Sequence, residues 1–68
     1  MDEDELRNRL DYVEAELISA GDIDARLRRS REVIELLHGI VSDLVANSDD
    51  AAEYEEDLEQ IAGMLPFL

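Results

Sequence analysis

Leu6, Leu10, Val13, Leu17 and Ala20 recur at alternating spacings of four and three residues, and no other feature constrains this chain as much. That rhythm sets all five on one narrow stripe of an α-helix, the seam by which helices pack in bundles and coiled coils. A first helix is therefore expected over about residues 2–19. Its opening acids, Asp2 to Glu5, suit the positive end of the helix dipole. Gly21 is expected to close the helix in a left-handed conformation, with Asp22 capping the next.

The second helix, expected over about 23–46, is the longest. At 100° per residue its apolar side chains, among them Ile23, Leu27, Val33, Ile34, Leu36, Leu37, Ile40 and Val41, fill about half the circumference. One neighbouring helix cannot cover so broad an arc, so it is expected to pack on both other helices or on another subunit. Gly39, on the polar side, suggests a slight bend or a close approach. Asn47-Ser48-Asp49-Asp50 is a stop-and-restart signal. A third helix is expected over about 49–64, with Ala51, Tyr54, Leu58, Ile61, Ala62 and Leu65 on one face and Glu53, Glu55, Glu56, Asp57 and Glu59 on the remainder. Pro66 disfavours continuation and leaves Phe67-Leu68 as an apolar tail. There is no credible strand. The fold class is all-α: a three-helix antiparallel bundle, or a helical hairpin plus a third helix, forming one small domain over 1–68 and expected to be dimeric.

Oligomerisation is expected from size. A chain of 68 residues buries only about 60% of the surface it exposes when unfolded. Below roughly 70–80 residues a core usually needs disulfides, a metal or a partner. The chain has no Cys, which excludes both disulfides and thiolate chemistry.

Charge narrows the function. Nineteen acidic residues against six basic ones give a formal charge of −13, which disfavours direct binding to nucleic acid or to anionic membranes. No stretch approaches the ~20 apolar residues that span a bilayer. The acidic first residues are the opposite of a basic signal-peptide start, and a cytoplasmic location is expected. All six basic residues are Arg. An acidic, Lys-free surface looks like that of proteins from salt-saturated cytoplasm, where counter-ions screen self-repulsion; a codon bias towards Arg is the simpler origin.

Few residues invite chemistry. On the helical wheel Arg28 and Arg31 face outward with Glu32 and Glu35 four residues on, whereas Arg26 and Arg29 project into the apolar half. Those two are expected either to pair with carboxylates of neighbouring helices or to line a small anion-accepting site or interface. His38 has no neighbours resembling a triad or a metal-ligand set, and the Glu53–Glu59 run lacks the glycine turn of a calcium loop. No cofactor, metal or catalytic residue is assigned. Tyr12 lies opposite the first helix's stripe and is expected at the surface.

Two short stretches resemble known families. Glu5-Leu6-Arg7-Asn8-Arg9-Leu10-Asp11, continuing through Glu16-Leu17-Ile18, is similar to the first helix of the all-helical chorismate mutases, with Leu6-Arg7 at the family's Leu-Arg pair. That family's site also uses a lysine, which this chain lacks. Ser30-Arg31-Glu32-Val33-Ile34 resembles the Ser-Gln-Glu-Leu-Asp motif of small two-helix phosphatases acting on response regulators of sporulating bacteria. Ile34 stands where that motif has its functional acid. Each resemblance covers about one helix and neither assigns a family.

The leading expectation is a non-enzymatic protein–protein interaction module, an adaptor, regulator or assembly subunit, working through an apolar face of the central helix. Its interface candidates are Tyr12, Arg26, Arg29, Val33, Leu36, Ile40, Phe67 and Leu68, and its partners a protein and a second copy of the chain. One alternative is an acidic inhibitor that imitates nucleic acid, for example phage-encoded and directed at a host defence or DNA-binding complex. Another is a small enzyme whose site, built on Arg26, Arg29 and His38, forms at a subunit boundary.

Overall fold

The computed structural model describes residues 2–68, apart from the side chain of Asp50; Met1, the first residue of the expected domain, lies outside the described residues. Three α-helices form, α1 (Glu3–Ile18), α2 (Ile23–Ala46) and α3 (Glu55–Met64), with no strand among the described residues. Short 3-10 turns occupy Ser48–Ala52 and Leu65–Phe67. The all-α expectation holds, and α2 begins and ends at the expected residues.

Local chemistry sets the boundaries. The Asp2 carboxylate accepts the Glu5 backbone N–H at 2.8 Å, and Asp22 accepts that of Ala25 at 2.7 Å, so α1 and α2 each start on an acidic cap. The end of α1 differs from expectation, because no described residue has a positive φ and Gly21 is not left-handed. Ser19 does the work instead. Its hydroxyl donates to the Ala15 carbonyl at 2.9 Å and its backbone N–H to the same oxygen at 3.1 Å, which satisfies a terminal carbonyl without a left-handed residue. The third segment also starts later than expected. The Asn47 side chain accepts the Asp49 N–H at 3.2 Å, a tight local turn that competes with helix, and regular α-geometry begins only at Glu55.

Cross-helix contacts give the directions. Arg7 reaches Glu56, and four residues on Asp11 accepts from Gln60, so α1 and α3 advance together. Tyr12 meets Arg29 while Leu6 shares a cleft with Ile40, so α1 and α2 run oppositely. The core between them is Leu6, Leu10, Val13 and Leu17 of α1, Val33, Leu36 and Ile40 of α2, and Tyr54, Ile61 and Met64 of the last segment. At 1.5–3 kcal/mol for each large side chain removed from water, this seam is the main source of stability. It fills a rod measuring 39 × 19 × 17 Å.

The α3 face is turned from the expected one. Tyr54, Asp57, Ile61 and Met64 are buried, whereas Ala51, Ala62 and Leu65 are exposed and Leu58 only half-buried. The buried four follow a 3-4-3 spacing, as a packing seam requires. That register brings a carboxylate inside and leaves part of the apolar side of α3 outside.

Candidate interaction surface

Two apolar stripes run along α2. Val33, Leu36 and Ile40 point into the core, and Leu37 and Leu44 pack at its margin. About a third of a turn further round, Ile23, Leu27, Ile34, Val41 and Val45 stand in solvent with exposures of 74, 57, 61, 46 and 83%. At 1.5 Å per residue the bare stripe is ~33 Å long, close to the 39 Å length of the rod. Scattered exposed aliphatics are ordinary, but five aligned along one helix form a strip of the kind that marks an association surface.

The expected interface residues fall in different settings. Val33, Leu36 and Ile40 are spent on the chain's own core and are not available to a partner. The apolar tail is exposed as expected, with Phe67 and Leu68 at 39 and 42%, and Leu65 joins it. Ala51, Ala52, Leu58 and Ala62 line an open apolar depression on the outward side of α3.

The arginines divide into paired and free. Arg29 hydrogen-bonds Glu32 within its own helix, and its guanidinium lies 5.6 Å from the centre of the Tyr12 ring, a cation–π contact that ties α2 to α1. Tyr12 is exposed as expected. Glu32 was expected opposite Arg28 but is taken by Arg29. Among the described residues, Arg26, Arg28 and Arg31 make no ion pair, and Arg26 is exposed rather than set in the apolar half.

Arg7 is the opposite case. It meets Glu56 at 2.9 Å, Glu3 at 3.5 Å and, through Nε, the buried Asp57 at 4.0 Å. Its guanidinium is pushed above its ordinary value, chiefly by the hydrogen bond to Glu56. Asp57 is 1% exposed, and neither of its oxygens has a hydrogen-bond partner among the described residues. Burial, followed by the neighbouring Asp57 carboxylate, raises the Glu3 carboxyl above the ordinary carboxylate value.

The ends of the molecule differ in charge as a result. Because α1 and α3 run together, the acidic stretches 2–5 and 53–57 meet at one pole, with Arg7 between them. Arg26, Arg28, Arg29 and Arg31 lie in the other half, beside the C-terminal half of α1.

A cleft of about 260 Å³ between Leu6, Glu35, Leu36, Gly39, Ile40, Asp43 and Tyr54 is the better enclosed of the two main hollows, and it falls below the ~300–1,000 Å³ of small-molecule sites. The Tyr54 hydroxyl donates to Asp43 on its wall. Gly39 borders this cleft without any close approach, since a Cβ there would meet nothing within 4 Å. No three His, Asp or Glu among the described residues are grouped to hold a metal ion, and His38 is exposed. No described helix is long and apolar enough to cross a membrane. Neither of these two hollows is lined by Arg26, Arg29 or His38. Comparison with protein-family models, curated proteins and solved structures finds no match to the chain.

Proposed function

We propose that this chain is a protein–protein interaction module, an adaptor, regulator or assembly subunit, whose binding face is the bare stripe of α2. One observation carries the reading: five large aliphatic side chains in register on a helix that has already filled its own core. Leaving them wet forgoes ~25 cal/mol for every Å² that a partner could cover. In this reading the working form is a bundle of three helices joined to another protein along α2, with the acidic surface keeping the complex in solution.

A photo-crosslinking residue placed singly at 27, 34 or 41, compared with one at Arg28 on the far side of α2, tests the reading in cells. Adducts of defined mass confined to the stripe positions are expected. Equal labelling at Arg28, or no adduct at any stripe position, would overturn it.

The acidic pole favours a second reading, an inhibitor that imitates nucleic acid. It predicts affinity for a basic groove that falls steeply with salt, whereas apolar docking on α2 persists in molar salt.

A further inference from the structure

The bare stripe has a symmetry of its own. Ile23, Leu27, Ile34, Val41 and Val45 are separated by four, seven, seven and four residues, so the pattern reads the same in both directions about Ile34. Ile34 also stands at the middle of α2, which spans Ile23–Ala46. An interface between two identical chains related by a two-fold axis must be self-complementary, each patch meeting its own copy. A stripe symmetric about its centre meets that condition when two α2 helices lie antiparallel. Ile34 then touches the partner's Ile34, Leu27 the partner's Val41, and Ile23 the partner's Val45.

Charge selects the same arrangement. In the first half of α2, residues 23–34, four arginines against Asp24 and Glu32 leave a net +2. In the second half, Glu35 and Asp43 stand unopposed and leave −2. Parallel docking would set like halves together; antiparallel docking sets +2 beside −2 and opposes the two helix dipoles. Over the whole rod, it also brings the acidic pole of one chain beside the arginine-bearing half of the other. Arg26, Arg28 and Arg31, which make no ion pair among the described residues, lie in that half.

We infer that the occupant of the stripe is a second copy of this chain, docked antiparallel along α2 with the two-fold axis at Ile34. This rests on the stripe being an association face, as proposed above, and adds its partner and geometry. Each copy carries −13, so net repulsion opposes the complex at long range even though the facing halves attract. Salt screens that repulsion while leaving the apolar contact intact, so the dimer should tighten as salt rises.

The chain contains no Cys, which makes single-cysteine variants unambiguous. A disulfide needs Cα atoms about 4.4–6.8 Å apart. Under mild oxidation Ile34→Cys is expected to give a covalent dimer. Leu27→Cys alone and Val41→Cys alone should not, whereas a mixture of those two should link to each other. Light scattering of the unmodified chain should show a dimer whose dissociation constant falls at least several-fold from low to molar salt, and Ile34→Glu should abolish it while the circular dichroism of the chain is retained. Self-linking by Leu27→Cys would indicate parallel docking and overturn the inference. A monomer at hundreds of micromolar in both low and molar salt would do so too. The two proposals fail separately: crosslinked adducts at the stripe whose mass differs from twice that of the chain would retire the second copy and keep the association face.

Discussion

Val33, Leu36 and Ile40 on one side of α2, and Leu27, Ile34 and Val41 on another, are the same kinds of residue at similar spacings on the same helix. The first group is at most 8% exposed and the second at least 46%. Composition cannot tell them apart. What separates them is the position of α1 and α3, which cover one arc of α2 and leave the next uncovered. Apolar content therefore fixes how much of a helix seeks cover, and the neighbouring elements decide which part is covered within the chain.

The contrast can be broken most forcefully from the buried side. Leu10→Ala or Ile40→Ala removes a fully buried side chain and should cost about 2–5 kcal/mol. A core of this size supplies only ~3–5 kcal/mol in total, so loss of the cooperative transition in a thermal melt is the expected result. Ile34→Ala, on the bare side, should change the stability of the monomer by less than about 0.5 kcal/mol. If urea titration gave the two sides equal costs, the division of α2 into covered and uncovered arcs would be wrong.

The next effect concerns the carboxylate in the seam. Asp57→Asn keeps the shape, removes a buried charge and offers Glu3 a donor, and should stabilise the chain by about 1 kcal/mol at pH 7. The pH dependence has a definite sign. The Glu3 carboxyl is raised in the folded state, so folding takes up a proton between the ordinary carboxylate value and the raised one. The associated stability is fully present below the ordinary value and is lost as pH rises through the raised one. Urea midpoints should therefore fall as pH rises through that window, and the slope should flatten in Asp57→Asn. An unchanged slope would remove Glu3 as its source.

Smaller again is Gly39→Ala. The site is helical and open, so the substitution should stabilise by about 0.5–1 kcal/mol through helix propensity alone. Of the same size, Tyr12→Leu should remove the contact with Arg29 and cost about 0.5–1 kcal/mol. Denaturation midpoints measure both.

Much of this architecture was legible in the residues. The α1 stripe could be read directly because its polar positions are charged at nearly every turn, leaving only one way to face inward. The breadth of the α2 arc was legible too, but the half chosen for the core was not, since Ile34 and Leu36 are equally suited to burial. The α3 register escaped for a different reason. Leu58 and Leu65 are the better apolar choices, yet Asp57 and Met64 lie inside, in the rotation of α3 against α1 that also lets Arg7 reach Glu56 and Asp57 and Gln60 reach Asp11. Long-range polar contacts of that kind leave no local periodicity. Gly21 misled because a serine two residues earlier did the same capping by another route.

Asp57 has one more consequence. A seam made only of leucine, valine and isoleucine tolerates a neighbour that slips along it by one turn, about 5.4 Å, because grease matches grease at every step. A carboxylate in that seam ends the tolerance. Shifted a turn either way, it would leave Arg7 behind and face aliphatic groups with nothing to hold its charge. The residue that weakens this small core thus acts as a detent, and the last helix has a single axial stop.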